Sequence, residues 1–123
     1  MKAPILVVDD DQDIRDALKD VLEDAGYPVQ CVRDGKEALE YLRSGSGASL
    51  ILLDLAMPQM DGYEFREEQL RDPQLKEIPV VIVTAQHMAS TRHKLPPASR
   101  YVSKPVRVHD LLDLLATAEQ FAS

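Results

Sequence analysis

Leu50–Gly62 reads LILLDLAMPQMDG, and the architecture of the chain can be argued from it. Its first four residues are apolar without a break, whereas a strand with one wet face alternates apolar and polar side chains. The run therefore predicts a strand buried on both faces, the pattern of a parallel sheet covered by helices. Asp54 ends the run, and Met57-Pro58 with Asp61-Gly62 forces a loop directly behind it. A carboxylate at the carboxyl end of a central parallel strand lies where open α/β sheets place their ligands. Taken alone, Asp54 is equally well read as a cap for the strand or for the next helix.

On either side of this stretch the chain alternates between two periodicities. Upstream, Ile5–Val8 is a second short apolar run, and it ends in Asp9-Asp10-Asp11. Ile14, Leu18, Val21, Leu22 and Ala25 then recur at helical spacing, predicting a helix from about Asp13 to Ala25 with Gly26 at its C′ position. Pro28–Val32 reads as a modest strand and Asp34-Gly35 as a turn. Ala38, Leu39 and Leu42 mark a short helix that stops at Ser44–Gly47. Downstream, Gly62–Arg71 is expected to be helical, with Tyr63, Phe65 and Leu70 as its contacts and Asp72-Pro73 as its break. Pro79–Val83 is a β-branched strand leading to Thr84-Ala85. Gln86–Leu95 predicts a short helix stopped by Pro96-Pro97. Tyr101–Ser103 is a brief last strand before Lys104-Pro105, and a final helix is expected from about Val108 to Gln120. Alternation of this kind predicts one doubly wound α/β domain over residues 1–123, without an effector domain.

Composition narrows the function classes. At 123 residues, 45% hydrophobic and 28% charged, the chain can bury a core without disulfides or a structural metal. One cysteine, Cys31, excludes an internal disulfide and a Cys-rich zinc site, and it reads as a small buried hydrophobe. His87, His93 and His109 lack metal-ligand spacing. No apolar run approaches membrane-spanning length, so a cytoplasmic location without membrane partners is expected. A net charge of -7 argues against direct binding to nucleic acid.

Four strand ends carry polar residues that could act together, namely Asp9 with Asp10, then Asp54, Thr84 and Lys104. Strands of a parallel sheet end on one edge, so these side chains could converge. A Rossmann-type nucleotide site would place glycines after the first strand; three aspartates there repel phosphate and suit a hard divalent cation. Clustered carboxylates repel unless a cation or proton compensates. Asp54, held beside a metal and Lys104, becomes a plausible nucleophile toward phosphorus. Asp11 and Asp13 read as capping or surface residues.

Taken in order, ILVVDDD at Ile5–Asp11, LDLAMPQMDG at Leu53–Gly62, VTA at Val83–Ala85 and YVSKP at Tyr101–Pro105 resemble a two-component response-regulator receiver domain. The resemblance runs from about Ile5 to Phe121. It implies a flavodoxin-like sheet of five parallel strands in the order 2-1-3-4-5, flanked by five helices. It also implies that Asp54 accepts a phosphoryl group from the phosphohistidine of a histidine kinase or histidine phosphotransfer protein. Asp10, Asp54 and the backbone carbonyl of Ala56 would ligate Mg²⁺ (or Mn²⁺), with Asp9 acting through a water. Lys104 would contact the phosphoryl oxygens and Thr84 would move to hydrogen-bond them. Tyr101 would turn inward, and the bond before Pro105 would be cis.

One stretch departs from the family pattern. The interval from Thr84 to Lys104 is about two residues shorter than usual, and Leu95-Pro96-Pro97-Ala98 replaces the familiar Ala-Gly-Ala. A short or irregular fourth helix is expected, and with it a monomer or weak dimer that signals to another protein. Two other functions compete. A receiver-like interaction domain working without phosphorylation would be favoured by loss of an acid, the lysine or the hydroxyl, and none is lost. A magnesium-dependent aspartyl phosphohydrolase needs a second acid two residues after its nucleophile, where this chain has Ala56. A non-enzymatic signalling module is the expectation.

Overall fold

Successive side chains of a strand point to opposite faces of its sheet, so an unbroken apolar run feeds two cores at once. A computed structural model describes residues 3–45, 47–54, 62–84, 100–103 and 113. Along these residues run β1 (Ile5–Val8), α1 (Gln12–Asp24), β2 (Val29–Val32), α2 (Gly35–Arg43), β3 (Leu50–Asp54), α3 (Gly62–Arg71), β4 (Val80–Thr84) and β5 (Arg100–Ser103). The strands form one parallel sheet in the order β2-β1-β3-β4-β5. The expected fourth helix, Gln86–Leu95, lies outside the described residues. So does the fifth, Val108–Gln120, apart from Asp113, which is helical.

The strand runs sort by parity. Leu6, Val8, Ile51, Leu53, Val80 and Ile82 face α2 and α3, where they meet Ala38, Leu39, Leu42 and Phe65. Ile5, Val7, Leu50, Leu52 and Val81 face α1 and close over Leu22, with Leu18 and Val21 at the margin. All five residues of β3 are buried. Full burial of each such aliphatic side chain contributes about 1.5–3 kcal/mol, so the central strands are firmly held.

Local signals fix the helix ends. The Asp11 carboxylate accepts from the backbone N–H groups of Asp13 and Ile14 at 2.9 and 3.3 Å, so it caps α1 as expected. At the other end Gly26 adopts φ 93°. Its N–H donates to the Glu23 carbonyl and the Tyr27 N–H reaches back to Leu22, the paired bonds of a Schellman turn. Asp34 does more than turn the chain: its side chain accepts from the Glu37 N–H at 2.9 Å and caps α2.

α3 corrects the sequence reading. Its buried face is Gly62, Phe65, Arg66 and Gln69, a true helical stripe, and Leu70 lies one position off it, 42% exposed. Gln69 is fully buried. Its amide nitrogen donates to the carbonyls of Leu75 and Ile78 at 2.9 and 3.1 Å, while its oxygen accepts from Arg66 Nη1 at 2.8 Å. The polar pair thus ties α3 to the turn over residues 72–78, which drops Leu75 into the core and delivers the chain to β4. A second correction concerns Cys31, which is only partly buried at the edge of the α1 core. Its Sγ donates weakly to the Arg15 carbonyl at 3.8 Å, and burial pushes the thiol above its ordinary pKa, leaving it protonated at neutral pH. Among the described residues no helix is long and apolar enough to cross a membrane.

Candidate functional site

The site follows from register. β1 and β3 are neighbours with Val8 paired to Leu53, so Asp9 and Asp54 are the next residues on adjacent strands at the carboxyl edge. The chain leaves β1 for α1 on one face, and the helices that follow β2 and β3 pack on the other. The β1/β3 edge is therefore the switch point at which an open α/β sheet leaves a crevice. Asp9 is 3% exposed and Asp54 5%, whereas Asp10 opens to solvent. One carboxylate oxygen from each of Asp9, Asp10 and Asp54 lies within 4.8 Å of the others.

Two interactions hold the loop after β1. The Asp11 N–H donates to Asp9 Oδ1 at 2.9 Å, pinning that carboxylate. Arg15 Nη1 donates to the Asp9 carbonyl at 2.7 Å, so a guanidinium from the start of α1 rests on the backbone of the acidic loop. Asp11 spends its own carboxylate on the helix cap.

Three hard oxygen donors at this spacing fit a small divalent cation. Adjacent ligands of octahedral Mg²⁺ stand about 3 Å apart and opposite ones about 4.2 Å. The trio reaches that geometry with a small contraction, or with one carboxylate acting through a water. Sulfur and imidazole ligands are missing from the group, which disfavours softer metals.

Of the other expected site residues, Thr84 ends β4 at the same edge: Val83 pairs with Asp54, and Thr84 pairs with Ser103, the residue before Lys104. Tyr101 pairs with Ile82 in β5. The side chains of Thr84 and Tyr101, and all of Ala56, Lys104 and Pro105, lie outside the described residues.

A doubly wound parallel sheet with an acidic trio at its β1/β3 switch point defines a flavodoxin-like domain of the receiver type. The sequence profile of the response regulator receiver domain matches residues 5–116, and the chain belongs to that family. The two-component response regulator ORR5 of rice is 34% identical over 109 residues, covering 87% of this chain and 81% of the relative. The chemotaxis protein CheY4 of Vibrio cholerae superposes with a TM-score of 0.81 at 30% identity, over 96% of this chain and 99% of that one. The response regulator TrrA of Thermotoga maritima, solved in complex with Mg²⁺ and BeF, gives 0.82 at 31% identity, over 96% and 99% of the two chains. Receiver domains of this family are signalling domains that bind Mg²⁺ at acidic residues and interact with histidine kinases and downstream effectors.

Sequence patterning did not single out Arg15 or the Arg66–Gln69 pair. Arg15 carries one signal, being the lone basic residue in Asp9–Asp16, a stretch that holds five aspartates. Gln69 carries none, because the carbonyls it serves belong to a turn whose position only the fold sets.

Proposed function

We propose that Asp54 accepts a phosphoryl group from the phosphohistidine of a histidine kinase or histidine phosphotransfer protein, and that residues 1–123 act as one receiver unit in the cytoplasm. The observation carrying this reading is the meeting of the Asp9, Asp10 and Asp54 carboxylates within 4.8 Å at the switch point of the sheet. Likeness to TrrA, whose structure contains Mg²⁺ and BeF, supports it.

Burial at the end of β3 gives Asp54 a fixed direction of attack. Its oxygen bonds to phosphorus as the P–N bond to imidazole breaks, and the electron pair of that bond stays on the imidazole. Asp10, Asp54 and the Ala56 carbonyl would hold Mg²⁺, or Mn²⁺ in its place, with Asp9 acting through a water. The ion supplies positive charge against the transferring oxygens. Lys104 contacts the same oxygens. The Thr84 hydroxyl then moves to donate to the phosphoryl group, and Tyr101 turns inward behind it. This changes the surface offered to a downstream protein.

Incubation with acetyl phosphate and Mg²⁺ tests the reading. Intact mass should rise by one acid-labile phosphoryl group, and Asp54→Asn should abolish the gain. Undiminished labelling of that variant would move the acceptor elsewhere, and an unlabelled wild type would favour an interaction domain that works without phosphorylation.

A further inference from the structure

We infer that Arg15 is the standing counter-charge of the acidic site, a positioning residue that lets three carboxylates cluster without metal and keeps Mg²⁺ affinity low enough for exchange. The inference rests on the metal site proposed above and adds a determinant to it.

Three features of Arg15 support this role. First, the guanidinium is fixed: Arg15 Nη1 donates to the Asp9 carbonyl at 2.7 Å, a short charge-assisted bond, and the side chain is half-buried. Second, its helical turn is held at both ends. The Arg15 N–H donates to the Asp11 carbonyl at 3.0 Å, and its own carbonyl accepts from Cys31 Sγ. A cation anchored in this way does not sweep through solvent as most surface arginines do. Third, its charge is felt around it. Glu37 is held below the ordinary carboxylate range mainly by hydrogen bonds from Arg33, and the Arg15 charge adds to that effect.

The anchoring sets a positive charge on the loop that carries Asp9 and Asp10, where it offsets the mutual repulsion of those carboxylates and Asp54. The same charge opposes an incoming dication. A unit charge acting on Mg²⁺ through water from a distance on the order of the Debye length, roughly 8 Å, changes its affinity about three- to tenfold, less at high salt. A guanidinium serving only to tie α1 to β1 has the opposite signature, since its loss would loosen the Asp9 loop and leave Mg²⁺ binding unchanged or weaker.

The test is a titration with MgCl₂ alone at constant ionic strength, read by amide NMR shifts of Asp9–Asp11, on wild type, Arg15→Gln, Arg15→Met, Arg15→Lys and Lys19→Gln. Both neutral Arg15 variants should bind Mg²⁺ about three- to tenfold more tightly, with the gain shrinking at high salt. Arg15→Lys should restore wild-type affinity within about twofold. Lys19→Gln removes an equal charge from an exposed position one turn on and should change affinity less than twofold. Unchanged or weaker binding in the neutral variants overturns the inference while the metal site stands. A wild type that does not bind Mg²⁺ overturns the site itself. Should a neutral variant unfold without metal, refolding in saturating Mg²⁺ supports the inference, and failure to refold overturns it.

Discussion

Asp54→Asn keeps the shape of the side chain and removes one of three clustered negative charges, so it should stabilise the metal-free protein. Two unit charges within 4.8 Å of each other repel by at least about 0.9 kcal/mol in bulk water and at least about 3.5 kcal/mol at an effective dielectric of 20. The pair with exposed Asp10 belongs near the lower figure and the pair with buried Asp9 nearer the upper. Asp54 also interacts beyond the trio, and the substitution alters those interactions as well. The net expectation is a gain of about 1–3 kcal/mol in a chelator, or a rise of about 0.5–1.5 M in the urea midpoint. Mg²⁺ should then narrow the gap and, near saturation, reverse it. Wild type gains about 1.4 kcal/mol at ten times its dissociation constant and about 4.1 kcal/mol at a thousand times, and the variant, short of one ligand, gains little. Urea unfolding with chelator and with saturating Mg²⁺ measures both effects. A variant less stable than wild type in chelator would contradict this account, since attraction to counter-charges would then outweigh repulsion within the trio.

Three further outcomes are expected. Gln69→Leu removes two neutral hydrogen bonds and one to a guanidinium, and should cost about 3 kcal/mol; a loss under about 1 kcal/mol in urea unfolding would show that the clamp is incidental. The Glu37 carboxyl is held low by hydrogen bonds from the Arg33 side chain and backbone, so its contribution is present above the unfolded carboxylate pKa and is lost as pH falls through the lower folded value. Glu37→Gln should accordingly be less stable than wild type at neutral pH, with the gap closing in acid; a gap that persists in thermal melts at pH 2 would exclude an ionic origin. Thr84→Ala should still take phosphate from acetyl phosphate yet lack the remote NMR shifts that beryllofluoride and Mg²⁺ induce in wild type. Identical remote shifts would remove the hydroxyl from the switch.

The sheet and the address of its site were legible in the order of residues alone. Unbroken apolar runs at Ile5–Val8, Leu50–Leu53 and Val80–Val83 belong to strands covered on both faces, and each ends in the polar residue that strand direction carries to one edge. Those signals are local, written in two-residue and 3.6-residue periods, and they could be read without knowing what lies across the fold. Asp11 and Gly26 were legible for the same reason, since a cap serves backbone groups within its own turn. Register and long-range polar contacts were not. The face of α3 turns on Gln69 rather than Leu70 because the carbonyls of Leu75 and Ile78 come to that face through a separate turn, which only the folded chain puts in place. Folding likewise lays Arg15 on the Asp9 carbonyl, a contact between a helix and a strand end. Hydrophobic periodicity records which side of an element is dry; it carries no record of which polar atom another element will bring to meet it.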